Sequence, residues 1–352
     1  MKDNNLGRVY NRSLLGPLLF AAVIFAIPLA AQSNYLLSMF IVIGFYSLVA
    51  VGLSLLMGYA GQISLGHAAF YGIGAYMSAV ISGTYGLSPW LGMAAGAVLS
   101  SLIAFIVGIP TFKLKGHYLA LATLGFGVIM YTAFKELREL TGGMNGFFGI
   151  PVLNIGSLEM NSDFRYFYLV WAFVIAALLF SRNMIQSRTG RALRSIEGSE
   201  VAADALGINI MKNKLQVFVL SAVFASVSGS LYAHYVTFIN PQLFDAMTSI
   251  YFLIMVVIGG VSSIWGAVIG AFVFVMLSEV LKSTIPLIYP SAGGEFEIVF
   301  FGLLLVVTLI YMPNGLMPTF SKLASRLKPD RKPPIQDAAA AREQINSGGG
   351  KQ

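Results

Sequence analysis

The sequence predicts an all-α fold: a polytopic helical membrane protein with about ten transmembrane spans. Two observations carry this. Of 352 residues, 57% are hydrophobic and only 11% charged, against roughly 25% charged in an ordinary soluble domain. Residues 13–112 contain no Lys, Arg, Asp or Glu, a length that suits four spans of about 20 residues with tight turns. So little polar surface excludes a soluble enzyme. The apolar runs are continuous, whereas barrel strands alternate apolar and polar positions, so a β-barrel is excluded too.

Taken in order, the spans fall at about 13–31, 35–57, 66–83, 89–109, 117–134, 166–182, 213–237, 247–259, 264–282 and 297–312. The first follows Arg8 and Arg12, and Ala30 and Ala31 after it leave signal cleavage open. Its apolar run of about 18 residues is long for a signal core and favours an uncleaved span. With the N terminus in the cytoplasm, every Lys and Arg except Lys135, Arg138, Arg165 and Lys282 falls on the inner side. That asymmetry is the positive-inside pattern. It also accounts for the net charge of +7, with no need of a nucleic-acid partner.

Two stretches interrupt the apolar pattern. Residues 58–74 carry Gly58, Gly61, Gln62, Ser64, Gly66, His67, Gly72 and Gly74. Residues 259–270 carry Gly259, Gly260, Ser262, Ser263, Gly266 and Gly270. Glycine at this density weakens a helix, and irregular backbone survives at membrane depth only against protein or a water-filled cavity. Paired interruptions in the two halves point to a translocation pathway lined by Gly61, Gln62, Ser64, Gly66, His67, Gly259, Gly260, Ser262 and Ser263. Close helix packing through small residues is the other reading, and both stay open.

The expected inner loop, 183–212, reads as two short helices broken near Gly198. Ser199 suits an N-cap, Glu200 the N-terminal dipole and Gly207 a C-terminal stop. Ala202, Ala203, Leu206 and Ile208 are expected on one side, Glu200 and Asp204 on another. Such a face calls for a partner groove. The expected outer loop, 135–165, is long, which suits either docking of an external partner or a solvated connector. Residues 1–320 form the expected membrane domain. Residues 321–352 form a basic cytoplasmic tail whose Lys322, Arg326, Lys328, Arg331 and Lys332 face anionic headgroups.

Resident chemistry is not expected. There is no cysteine, and His67, His117 and His234 lack carboxylates at ligand spacing, so no metal site or cofactor is expected. Glu279 with Lys282 at i+3 reads as an interfacial ion pair. No Gly-x-x-x-x-Gly-Lys-Ser/Thr loop occurs.

Residues 200–207 (EVAADALG) resemble the coupling loop of bacterial ABC importer permeases. The stretches 57–76 (MGYAGQISLGHAAFYGIGAY), 119–127 (LALATLGFG), 141–146 (TGGMNG), 255–279 and 311–316 (YMPNGL) are similar to LivM-type permeases of the branched-chain amino acid uptake family. The resemblance covers about residues 35–316. Val128 after the LGFG stretch, and Val261-Ser262-Ser263 after the double glycine, depart from the family's usual acid and Gly-Leu-Gly-Ser.

The resemblance implies an ABC importer permease fold in the bacterial inner membrane, both termini cytoplasmic. It implies a second homologous permease, two ATPase subunits that bind the ATP, and a periplasmic substrate-binding protein. It implies that Arg191, Arg194, Glu200, Ala203, Asp204 and Gly207 couple to the ATPases. The expected cargo is branched-chain or other hydrophobic amino acids; urea or short amides, carried by relatives of the family, are the alternative. An ion-coupled secondary transporter is disfavoured because no carboxylate lies deep in the expected spans.

Overall fold

The computed structural model describes residues 20, 22, 24–28, 33–114, 116–156, 158–288, 295–312 and 315–317. The expected first span falls only partly among them, with residues 24–28 helical. The N-terminal residues 1–12 and the basic tail lie outside the described residues.

The described chain is mostly helical. Its helices are α1 Asn34–Ala60, α2 His67–Ala79, α3 Pro89–Thr111, α4 His117–Glu136, α5 Arg138–Thr141, α6 Asp163–Gln186, α7 Arg188–Gly198, α8 Glu200–Ala205, α9 Ile210–Val236, α10 Ala246–Gly259, α11 Ile264–Ile288 and α12 Glu295–Tyr311. A π turn, Val80–Thr84, extends α2.

Six described helices are long and apolar enough to cross a membrane: α1, α3, α4, α6, α9 and the Ile264–Ile285 part of α11. The sequence leads to about ten. The other four expected spans coincide with α2 and its π turn, with the 14-residue α10, with the 17-residue α12 and with the partly described 13–31 stretch. A 14-residue helix extends about 21 Å, short of a hydrocarbon core of about 30 Å.

Local chemistry sets the helix ends. Asn209 caps α9 by accepting from the Lys212 N–H at 2.9 Å, and Asp245 caps α10 by accepting from Thr248 N–H at 2.9 Å. Pro89 opens α3, where its missing N–H costs nothing. Gly61 ends α1 in the left-handed region at φ 64°.

The core sits where α1, α2 and α9 meet, with α3, α6 and α11 packed around them. Between α2 and α9 the backbones approach through glycine. A Cβ on Gly74 would strike the Ser226 carbonyl, and one on Gly229 the Tyr71 carbonyl. Small residues permit this approach, and in lipid it replaces the hydrophobic drive that water supplies elsewhere. Gly259 and Gly270 pack the α10–α11 hairpin in the same way, against Gly266 and Met255.

Much of the 135–165 segment folds as a cap at the α9 C-terminal end. Strand β1 (Phe147–Phe148) pairs antiparallel with β4 (Phe238–Ile239), and β2 (Asn154–Ile155) with β3 (Leu158–Glu159). Buried His234 ties the cap down. Its Nδ1 lies 2.6 Å from the Pro151 carbonyl and its Nε2 2.7 Å from Ser78 Oγ. The carbonyl can only accept, so Nδ1 donates and Nε2 receives the Ser78 proton.

Candidate functional site: the α7–α8 hairpin and two helix breaks

The hairpin between α6 and α9 is built by three devices. Gly190 forms the corner, since a Cβ there would strike the Ile185 carbonyl. Arg191 reaches the Gln186 carbonyl at 3.3 Å and Arg194 the Ile185 carbonyl at 3.1 Å. These exposed cations therefore satisfy carbonyls at the α6 C terminus that have no intrahelical partner. Leu193 and Ile196 bury the inner face of α7.

Ser199 caps α8, accepting from the Ala202 N–H at 3.3 Å, as its position suggests. Gly207 stops it at φ 76°. The Ile208 N–H returns to the Ala203 carbonyl at 3.0 Å and the Gly207 N–H to Asp204 at 2.8 Å, the paired bonds of a Schellman stop. The expected face of α8 is corrected here. Ala203 points inward and is buried, while Val201 and Leu206 stand 81% and 77% exposed. Ala202 and Asp204 are exposed as well. Six residues make fewer than two turns, so pattern alone leaves the rotation of this helix undetermined.

Glu200 is held from behind. Lys214 Nζ lies 2.7 Å from its Oε1, the one ion pair among the described residues. The Lys214 side chain is 5% exposed and that of Glu200 38%. By sequence, Lys214 counts only toward the inner-side positive charge; its neighbour Lys212 offers the same charge, and only the fold selects between them.

The first break spans residues 61–66, narrower than the 58–74 stretch that its glycines mark. The break and its flank are satisfied by side chains from elsewhere. The Leu65 N–H donates to Thr123 Oγ1 and Ala68 N–H to Ser249 Oγ, each at 3.0 Å. Buried Gln62 donates to the Ala60 carbonyl at 2.8 Å. A Cβ on Gly66 would stand 2.7 Å from the Thr123 carbonyl.

His67, fully buried, joins the break to α9. Its Nδ1 lies 3.0 Å from Ser64 Oγ and its Nε2 3.0 Å from Ser221 Oγ. Ser221 gives its proton to the Phe218 carbonyl at 2.9 Å. The hydroxyl has one proton to give, so Nε2 donates to Ser221 and Nδ1 accepts from Ser64.

The second break, 260–263, packs on the C-terminal end of α1. Ser54 Oγ donates to the Val261 carbonyl at 3.0 Å and the Tyr59 hydroxyl to the Ser262 carbonyl at 3.1 Å. Gly260 takes φ 114°, and Ser263 Oγ accepts from the Gly266 N–H at 3.1 Å. Gly61 lies 3.9 Å, from its notional Cβ, to Glu197 of α7. The end of α1 thus gathers both breaks and the hairpin. Gly61 and Ser262 are exposed, while Gln62, Ser64, Gly66, His67, Gly259 and Gly260 are buried within this chain.

The expected Glu279–Lys282 pair is also corrected. Glu279 accepts a hydrogen bond from the Tyr35 hydroxyl, and Lys282 forms no ion pair among the described residues. No group of three or more His, Cys, Asp or Glu able to hold a metal occurs among the described residues.

A family model described as "Branched-chain amino acid transport system / permease component" matches residues 35–309. The chain belongs to this permease family. The high-affinity branched-chain amino acid transport system permease protein LivM of Salmonella typhimurium is 30% identical over 296 residues, 78% of this chain and 68% of that protein. LivM of Escherichia coli matches at the same identity and coverage. LivH of Salmonella typhimurium is 28% identical over 292 residues, 77% of this chain and 91% of that protein. The permease match begins at the first turn of α1 and ends inside α12. It therefore takes in both breaks, the hairpin and the cap.

Proposed function

We propose that this permease is the membrane subunit of an ABC importer that moves branched-chain or other hydrophobic amino acids into the cytoplasm. Two separate ATPase subunits drive it, a second homologous permease completes the pathway, and a periplasmic binding protein delivers the cargo. The chain crosses the inner membrane about ten times with both termini cytoplasmic. It binds no cofactor and carries no ATPase site of its own. Residues 1–320 are the membrane domain and 321–352 a cytoplasmic extension.

One observation carries the coupling role. The α7–α8 hairpin is braced against the membrane body by Ala203, Lys214 and two arginine caps, yet presents Val201 and Leu206 to the outside. Apolar side chains on a braced, charged hairpin suit a partner groove. In the proposed assembly a motion of the ATPases pushes this hairpin, and the pivot at the end of α1 passes it to the two breaks. Gly61, Gln62, Ser64, Gly66, His67, Gly259, Gly260, Ser262 and Ser263 belong to the elements that shift. At the opposite end Phe148, Ile155 and Leu158, exposed on the cap, suit docking of the binding protein.

The test is reconstitution with all partners in liposomes. ATP-dependent accumulation of radiolabelled leucine is expected, and none without the ATPases. Accumulation by this chain alone from an ion gradient would overturn the reading. A reporter fused after residue 330 is expected to read cytoplasmic; a periplasmic readout would break the ten-crossing arrangement.

A further inference from the structure

A cleft of about 410 Å³ lies between the N-terminal half of α1 and the C-terminal half of α11. Its volume is within the range of small-molecule sites. Tyr35, Ser38, Glu279 and Lys282 line it, together with Met39, Val42 and Phe274. It holds one carboxylate and one ammonium, a single helical turn apart on α11, beside an apolar wall. On α1 the lining runs from Tyr35 to Tyr46, about 16 Å along the axis. The cleft thus descends from the end of α1 remote from the α7–α8 hairpin.

Neither charge is neutralised by the other. The Tyr35 hydroxyl donates to one Glu279 oxygen, which leaves the second oxygen and further lone pairs able to accept. Lys282 offers three donors and forms no ion pair among the described residues. Separated opposite charges flanking an apolar wall match a zwitterion with an apolar side chain. A simple amide or urea has neither charge to offer.

We propose that this cleft binds an α-amino acid in transit. Glu279 takes the α-ammonium, Lys282 the α-carboxylate, and Met39, Val42 and Phe274 the aliphatic side chain. Tyr35 is a positioning residue that orients the Glu279 carboxylate. The inference deepens the importer reading and rests on it for the choice of leucine as cargo.

Photo-leucine cross-linking tests it, on membranes from cells that express the full chain with its partner subunits. Label is expected on peptides bearing Met39, Val42 or Phe274. L-Leucine should displace it at least about tenfold better than isocaproate, which lacks the ammonium, or isoamylamine, which lacks the carboxylate, since each loses a hydrogen bond to a charged group. Glu279→Gln and Lys282→Gln should each cut labelling about tenfold, and Tyr35→Phe less. The competition with unaltered protein needs no variant to fold. Equal displacement by all three compounds, or label confined to other peptides, overturns the site. Leucine uptake is measured in parallel. Uptake without label at the cleft sinks the site and spares the importer; label there without uptake does the reverse.

Discussion

Lys214 sits at the root of α9 with its ammonium 2.7 Å from the Glu200 carboxylate on α8. The pair fixes the short helix to the first long helix that follows it. Glu200 is more than a third exposed, so water screens the attraction, and the pair contributes on the order of 1 kcal/mol. Its effect is therefore on the orientation of α8 more than on global stability. We expect Lys214→Met to insert normally and to lose most ATP-driven uptake, with the reversed pair, Lys214→Glu with Glu200→Lys, recovering part of it. Uptake assays beside a membrane-insertion control check this. Wild-type uptake by Lys214→Met would remove the pair from the coupling path.

Gly207 gives a graded prediction. Nothing lies within 4 Å of a Cβ built there, so space is not the constraint, but φ is 76°. An L residue in this region costs about 1–2 kcal/mol, and Asn tolerates it best. Uptake should fall in the order Gly, Asn, Ala, Asp, because Asp adds a charge to the strain. Hydrogen exchange of the Ile208 N–H, which donates to the Ala203 carbonyl, should rise from Gly through Asn to Ala as the Schellman bond opens. An Ala variant with unchanged exchange would show that the stop does not depend on glycine.

What the sequence reveals of this fold follows from what is local. Gly61, Ser64 and Gly66 mark a helix break because a break needs nearby glycine and hydroxyls. Ser199 and Gly207 mark the ends of α8 because caps are made within one turn. The choice of Lys214 over Lys212, the inward turn of Ala203 and the Tyr35–Glu279 contact join positions far apart in the chain or in rotation about a helix, so periodicity cannot supply them. The two-residue strands of the cap are too short to show alternation. The span count is less legible for a related reason: apolarity marks burial, and a 14-residue helix shielded by neighbours is as apolar as a crossing one.

Glycines in this fold divide into two kinds that one measurement separates. Gly74 and Gly229 bring α2 and α9 into backbone contact, and a methyl group at either meets a carbonyl that belongs to an intact helix. Overpacking of this kind costs about 1–3 kcal/mol. Gly125 of α4 has nothing within 4 Å of its notional Cβ, and Ala there gains up to about 1 kcal/mol of helix propensity. Thermal unfolding in detergent should show lowered midpoints for Gly74→Ala and Gly229→Ala, and an unchanged or raised one for Gly125→Ala. Equal shifts in all three would mean that the α2–α9 contact yields to the extra carbon.

His67 tests whether the first break is held by its hydrogen bonds or by packing alone. His67→Leu keeps much of the bulk but removes the acceptor for Ser64 and the donor for Ser221, both of them buried. A typical hydrogen bond contributes about 0.5–1.5 kcal/mol net, and an orphaned buried polar group costs about 1–3 kcal/mol. The sum predicts a loss of about 2 kcal/mol or more. Ser221→Ala should lose less, because only the Nε2 donor is orphaned and the Phe218 carbonyl keeps its place in the helix. Adding Ser64→Ala to His67→Leu should recover part of the loss, since it removes the stranded hydroxyl. Thermal unfolding of the three variants beside the wild type decides it. If His67→Leu melts with the wild type, the network is incidental and packing alone sets the break.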